Sequence, residues 1–254
     1  MNSAGVVAAL AAEARTLGPT LPQQGHAYRR LPGGMLLAVG GIGVAAAAAA
    51  AQQLVDAGAA ALVSWGMAGG LDPSLEAGAV CLPDEVIAPD GTHYATAREW
   101  RETLAPLIAA GQRVAAGSLL TSVLPLATLS AKGAARRDTG AVAVDMESSA
   151  VAQTARTHGL PFIAVRAIVD TAKDVVPPAV SAASETGQVR IGRLLVGLLR
   201  SPSDLVPLLR LATRYRAATG SLQAVAALLD GTSPTFLGPT SAGPTPARAR
   251  SRPP

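Results

Sequence analysis

Val144-Asp145-Met146-Glu147-Ser148 and, about twenty residues on, Val165-Arg166-Ala167-Ile168-Val169-Asp170 set acids at the junctions of apolar segments. The later acid closes an apolar, β-branched run, Phe162 to Val169, that has the signature of a buried strand. Acids are rarely buried without a partner or a chemical task, so Asp170 is the first candidate catalytic group. The earlier stretch opens a run, Met146 to Thr157, with apolar or small residues at Met146, Ala150, Val151 and Ala155, and this spacing predicts a helix with Glu147 in its first turn. A carboxylate there is also a plain N-terminal helix signal, and Asp145 can serve as a cap, so this pair alone supports a structural reading as well as a functional one.

Outward from these segments, short apolar runs at Val6–Leu10, Met35–Val39, Ala60–Trp65, Val80–Leu82 and Phe162–Val169 alternate with helix-like stretches such as Val44–Ala57 and Met146–Thr157. The alternation predicts an α/β fold with a largely buried sheet. Glycine-rich connections follow the strands and place Glu13, Gly66–Gly70 and Asp170 at or beyond strand ends, where open α/β sheets bind ligands. Gly41-Ile42-Gly43-Val44-Ala45-Ala46 has the skeleton of a dinucleotide-binding turn, yet the acid expected near the end of the next strand is missing, so it reads as a close-packed turn approaching a ligand. Ser64–Leu71 reads as a glycine-rich loop whose bare backbone can lie against a flat ligand. The seven alanines Ala45–Ala51 read as a helix packed closely on the sheet.

With 254 residues, 49% of them hydrophobic, the chain can bury a substantial core. Its single cysteine, Cys81, and three scattered histidines, His26, His93 and His158, supply no disulfide framework and no ligand spacing for a metal. The net charge of +4 is localised: residues 1–187 hold 12 Lys+Arg against 15 Asp+Glu, and the basic excess lies in residues 188–254. Without an aromatic-rich basic surface, nucleic-acid binding is not expected. Met1–Ala12 lacks a basic n-region, so a cytoplasmic protein is expected. The uncharged span Leu31–Ala51 is broken by Pro32 and five glycines and favours strand, turn and helix over a membrane rod. Beyond Gln188 come Arg-studded helix signals, Ile191–Leu199 and Leu205–Ala217, separated by Ser201-Pro202-Ser203-Asp204, whose Ser203 or Asp204 is suited to cap the second. Residues 231–254 have little to bury and are expected to form a flexible tail. No G-x-S-x-G elbow, Walker lysine or H-E-x-x-H is present, which disfavours triad acyl transfer, P-loop phosphoryl transfer and zinc proteolysis.

Ala9-Leu10-Ala11-Ala12-Glu13, the Gly40–Gly43 turn, Gly66–Leu71 with Asp72 and Gly78, Val144–Ser149 and Val165–Asp170 occur in an order that resembles the purine nucleoside phosphorylase and methylthioadenosine/S-adenosylhomocysteine nucleosidase superfamily over residues 5–187. Ser203–Leu209 and the short chain look most like its hopanoid-associated phosphorylase branch. The resemblance implies a single-domain three-layer α/β/α sandwich with a central mixed sheet over residues 1–187, helices packed on or beside it at 188–230, and the tail. It implies cleavage of an N-glycosidic bond with release of adenine, and in the narrower branch a substrate of adenosylhopane. Asp170 then assists the departing purine, Glu147 holds the ribose hydroxyls, Met146 packs beneath the sugar, and Glu13 activates water. Ala68 and Gly69 line the base pocket, Gly43 sits near the nucleophile, and Asp145 stands where many relatives have glutamate.

No cofactor is implied, phosphate being the alternative co-substrate to water. The partners implied are a nucleoside or nucleoside-lipid and further copies of the chain. The Arg-studded helices offer either a peripheral contact with anionic lipid or a cover for the sheet. Val169 replaces the serine that often precedes the catalytic aspartate, so support for Asp170 has to come from elsewhere. Pro125 falls near the place of a base-stacking aromatic. Arg166, inside the strand, is expected to make a structural ion pair, and His93 to lie in a solvated loop. The competing classes are a methylthioadenosine/S-adenosylhomocysteine-type nucleosidase, a non-catalytic nucleoside-binding protein and a dinucleotide oxidoreductase.

Overall fold

Long parallel strands organise the chain, and the computed structural model describes residues 3–22, 27–176 and 205–231. In chain order the strands are β1 (Ser3–Ala8), β2 (Arg29–Arg30), β3 (Leu36–Val39), β4 (Ala59–Gly70), β5 (Val80–Cys81), β6 (Glu85–Ile87), β7 (His93–Ala95), β8 (Val114–Ala115), β9 (Ser118–Thr121), β10 (Ala143–Asp145) and β11 (Phe162–Asp170). The helices are α1 (Ala11–Ala14), continued by a 3-10 turn at Arg15–Leu17, α2 (Val44–Asp56), α3 (Arg98–Ala109), α4 (Leu129–Thr139), α5 (Ser148–Thr157) and α6 (Leu205–Gly231).

One mixed sheet runs β2-β3-β1-β4-β10-β9-β6-β7, and β11 branches from β4 to pair β5, which pairs β8. Strands β3, β1, β4 and β11 are mutually parallel, so their carboxyl ends gather on one side. Side chains alternate across the sheet as the pleat requires. Phe162, Ala164 and Ile168 pack with Ala47, Ala51 and Leu54 of α2 and Ala150, Val151 and Ala155 of α5. Ile163, Val165 and Ala167 pack on the opposite side with Trp100 and Leu104 of α3 and Ala218, Leu222 and Val225 of α6. The result is the three-layer α/β/α sandwich with a mixed sheet.

Several expected boundaries are corrected. The Gly66–Gly70 segment is not a loop but the second half of β4, because its backbone is paired on both sides, with β11 at Arg166–Asp170 and with β10 at Ala143 and Val144. The first strand begins at Ser3 instead of Val6 and ends at Ala8. The last helix runs on from Ala217 to Gly231, and its buried residues belong to the same core as the sheet. Glu147 is not inside the helix but is its N-cap, with φ −132° and ψ −33°. The signals at Ile191–Leu199, the proposed caps Ser203 and Asp204, and the tail lie outside the described residues. Among the described residues no helix is long and apolar enough to cross a membrane.

The alanine run does pack closely. A Cβ on Gly40 would stand 2.9 Å from the Ala46 carbonyl oxygen and 3.0 Å from Ala50 Cβ. Ala51 is fully buried whereas Ala49 is exposed. Leucine forms helix almost as well as alanine, so the two sites separate packing from propensity. Ala51→Leu is expected to lower stability by about 1–3 kcal/mol through overpacking, with Ala49→Leu within about 0.5 kcal/mol of wild type. Urea unfolding midpoints check this, and equal midpoints would show that the helix does not rest directly on the sheet.

Candidate active site

Arg166 occupies an inward position of β11 that its neighbours fill with apolar side chains, and it is 1% exposed. A guanidinium there must be paired. Its Nη2 lies 2.8 Å from Asp145 Oδ2 and donates to Ser64 Oγ at 2.6 Å and Ser148 Oγ at 3.0 Å. Asp145 also accepts from Thr121 Oγ1 at 2.9 Å and from the Ser148 backbone N–H at 3.1 Å. The expected structural ion pair is present, and Asp145 both neutralises Arg166 and satisfies the first N–H of α5. The other nitrogen, Arg166 Nη1, is buried without a hydrogen-bond partner among the described residues.

The direction of β10 explains why Glu147 reaches this point. β10 is antiparallel to β4, with Ala143 opposite Gly70 and Val144 opposite Gly69, so the chain is carried back along β4 toward Gly66 as it reaches Asp145-Met146-Glu147. Glu147 Oε1 then accepts from the Gly43 backbone N–H at 2.9 Å, at the N-terminus of α2, and Oε2 accepts from Met146 N–H at 3.3 Å. Gly41 and Gly43 take φ of +100° and +95°, which fits the glycines of this turn. Met146 is half-buried beside the carboxyl it helps hold.

Glu13 comes from the short helix α1 after β1. Its Oε1 accepts from Met67 N–H at 2.8 Å and its Oε2 from Leu10 N–H at 3.0 Å. A Cβ on Gly66 would fall 2.4 Å from Arg166 Nη1 and 2.5 Å from Glu13 Oε1, so only glycine lets these two groups approach β4. Glu13, Asp145, Glu147 and Arg166 therefore form one buried electrostatic unit.

Three carboxyls around one guanidinium leave an excess of negative charge if all ionise. Burial, reinforced by the nearby Asp145, pushes Glu147 up to about 7, although Arg166 and the Gly43 N–H oppose the rise. Burial likewise raises Glu13 against Arg166 and the backbone N–H groups of Met67, Leu10 and Ala9. Burial works to lower Arg166, but the Asp145, Glu147 and Glu13 carboxyls outweigh it and hold the guanidinium above its ordinary value.

Asp170 stands apart from this unit, four residues along β11 from Arg166 and paired in register with Gly69. A Cβ on Gly69 would lie 3.2 Å from Asp170 Oδ2, so the missing side chain leaves the carboxylate its space. Ala68 is buried opposite Ile168. From Gly66, beside Glu13, to Gly69, beside Asp170, is about 10 Å of strand.

The residue that sequence reasoning missed is Lys132. It is the buried residue of α4, 1% exposed, and its ammonium donates to Asp170 Oδ2, to Thr171 O at 2.7 Å and to Asp174 O at 3.1 Å. Burial raises Asp170 above the usual carboxylate range, and the Lys132 charge pulls it back. Support for Asp170 at the end of β11 thus comes from an ammonium on α4, with Val169 in the preceding position. A lone lysine in a run of small residues ordinarily reads as solvated, and α4 itself carries little apolar periodicity. His93 opens β7, is exposed, and contacts Glu85 at 3.0 Å.

Residues 3–200 match the family model described as Phosphorylase superfamily. The 5'-methylthioadenosine/S-adenosylhomocysteine nucleosidase of Pseudoalteromonas translucida is 30% identical over 181 residues, 63% of this chain and 76% of that protein. Its counterpart in Chromohalobacter salexigens is 32% identical over 157 residues, 52% of this chain and 65% of that relative's length. Among solved structures, the 5'-methylthioadenosine/S-adenosylhomocysteine nucleosidase of Neisseria meningitidis in complex with methylthio-immucillin-A superposes with a TM-score of 0.68 at 20% identity, covering 91% of this chain and 100% of that one. A buried carboxyl cluster at the strand ends of a mixed α/β sheet and a family match spanning most of the chain lead to one assignment: the protein belongs to the phosphorylase superfamily.

Proposed function

We propose that the chain is an enzyme that hydrolyses the N-glycosidic bond of a purine ribonucleoside-like substrate and releases adenine. The observation that carries this reading is the buried set of Glu13, Glu147 and Arg166 about 10 Å along β4 from Asp170. The membership of the family and the names of the two nucleosidase relatives support it.

In this reading the sugar lies over Gly66 and Met67 with its hydroxyls at Glu147, and the purine extends toward Ala68, Gly69 and Asp170. The oxygen of water forms a bond to the anomeric carbon while the C–N bond breaks and its electron pair leaves with the purine. Asp170 gives its proton to the purine, and Glu13 takes the proton released by the water. Positive charge building on the sugar meets the Glu147 carboxylate, and negative charge on the base meets the acid. Arg166 Nη1, buried and without a hydrogen-bond partner among the described residues, holds the water beside Glu13 in this reading. Water is favoured over phosphate because Glu13, a group that can take a proton from water, stands beside Arg166 Nη1.

The finer choice of substrate rests on the rim. Val123 and Leu124 are 65% and 69% exposed, Leu129 is 49% and Val175 is 58% exposed. Val123 and Leu124 sit on the β9–α4 connection, which starts beside Asp145, Leu129 opens α4, and Val175 lies on the segment after Asp170, tied to that connection by Val176 N–H donating to Ala127 O at 2.9 Å. Four exposed large apolar side chains on these neighbouring segments favour a substrate with an apolar 5'-substituent, and adenosylhopane, the substrate implied by the hopanoid-associated resemblance, has one.

Chromatography of free adenine after incubation with adenosine, methylthioadenosine and an adenosylated triterpenoid, with and without phosphate, tests the reading. Adenine is expected without phosphate, and fastest from the triterpenoid. Release only in the presence of phosphate overturns hydrolysis, and no release from any substrate leaves the nucleoside-binding reading in its place. Asp170→Asn is expected to lower kcat by about 10²–10⁴-fold; a variant as active as wild type removes Asp170 from the chemistry.

Glu147 gives a pH signature. With its carboxyl near 7, the protonated form dominates below that pH and the ionised, hydroxyl-accepting form above it. KM is therefore expected to fall as pH rises from about 6 to about 8, and Glu147→Gln is expected to flatten that dependence. An unchanged KM profile in the glutamine variant assigns the titration to another group.

A further inference from the structure

Lys132 is the one fully buried ammonium among the described residues, and nothing in the packing of α4 calls for it. Its three N–H donors are all engaged, by Asp170 Oδ2 and by the carbonyls of Thr171 and Asp174. The turn it holds is fixed a second time: Asp174 Oδ2 accepts from Thr171 N–H at 2.9 Å and Thr171 Oγ1 at 2.7 Å, and Asp174 Oδ1 lies 2.6 Å from Arg214 Nη1 on α6. Asp170 Oδ1 accepts no hydrogen bond from the described residues. One carboxyl oxygen is pinned, and the other is left open by the described residues.

We propose that Lys132 is a positioning residue for the leaving-group acid: it clamps Asp170 Oδ2 so that Oδ1 alone is presented to the departing base, and its charge sets how tightly Asp170 holds the proton it gives up. The inference rests on the proposed N-glycosidic chemistry. The charged groups facing Asp170 are Lys132 from α4, Asp174 from the turn that follows β11, and Arg214 from α6; β4 contributes only the backbone of Gly69. Lys132 is the one of these in direct contact with the carboxyl, so it dominates the opposition to burial.

The sign follows from that arrangement. Removing the ammonium leaves burial unopposed, and Asp170 then keeps its proton to higher pH. Oδ2 also loses its tether, and the carboxyl gains rotational freedom at the moment of transfer. Substrate contacts at Glu147 and Gly43 are untouched, so the loss falls on kcat and not on KM.

Full-length wild type, Lys132→Met, Lys132→Gln and Lys132→Arg are compared in two ways. The first is the ¹³C NMR titration of the Asp170 carboxyl carbon, identified by its absence in Asp170→Asn. The second is the pH profile of adenine release from methylthioadenosine. In Lys132→Met the Asp170 midpoint is expected to rise by about one pH unit or more. The basic limb of kcat/KM is expected to move the same way, kcat to fall of the order of 10-fold or more, and KM to stay within about 3-fold. Lys132→Arg, which keeps the charge, is expected to return the midpoint to within about half a unit of wild type. Lys132→Gln gives the same reading as methionine if the methionine variant does not fold. An Asp170 midpoint and basic limb that stay in place in the neutral variants, with only the melting temperature lowered, overturn the proposal and leave Lys132 as a structural tie. If wild type releases no adenine, the enzymatic reading fails by itself, and the carboxyl titration still decides whether Lys132 governs Asp170.

Discussion

A charged guanidinium in the middle of a buried strand is the constraint around which the active end of this molecule is arranged. Arg166 stands in a row with Phe162, Ala164 and Ile168, where burial of an unpaired charge would cost several kcal/mol. Every neighbour answers to that charge. Ser64 on β4, Ser148 at the start of α5 and Asp145 at the end of β10 satisfy one side of the fork, and the glycine at position 66 keeps β4 out of the way of the other side. The one nitrogen without a partner among the described residues lies beside Glu13. A side chain that ties the sheet to α5 thereby also orders the carboxyls of the site.

The carboxyls themselves illustrate how environment divides roles among like groups. Glu147 shares Arg166 with Asp145 and accepts from the N-terminus of α2, yet burial still carries it to about 7. Glu13 is held by two backbone donors and is also raised. Asp170 lies outside the reach of that guanidinium and has its own ammonium. Two separately compensated charge centres along one strand suit a reaction that builds opposite charges at the two ends of a breaking bond.

The long elements were legible because burial leaves a periodic imprint: Phe162–Val169 and Met35–Val39 read directly as strands and Val44–Ala57 as a helix, each within a residue of the observed element. Asp170 and Glu147 were visible because an acid beside an apolar run is conspicuous. Other features left no such imprint. Strands β6 to β10 are two to four residues long, shorter than a period-2 pattern needs to declare itself. The Gly66–Gly70 segment read as a loop because glycine weakens strands locally, and only its two flanking partners, distant in sequence, supply the pairing. Lys132 was hidden because its three acceptors lie 38 to 42 residues away, and a lysine by itself carries the signature of a solvated surface.

The reversed course of β10 within an otherwise parallel neighbourhood also bears on how the chain acquires its native state. Gly43 and Glu147 meet across 104 positions, Ser64 and Arg166 across 102, and Glu13 and Met67 across 54. Closing such large loops is entropically costly and is rewarded only when several strands dock, so the charge cluster exists only where these distant segments are held together.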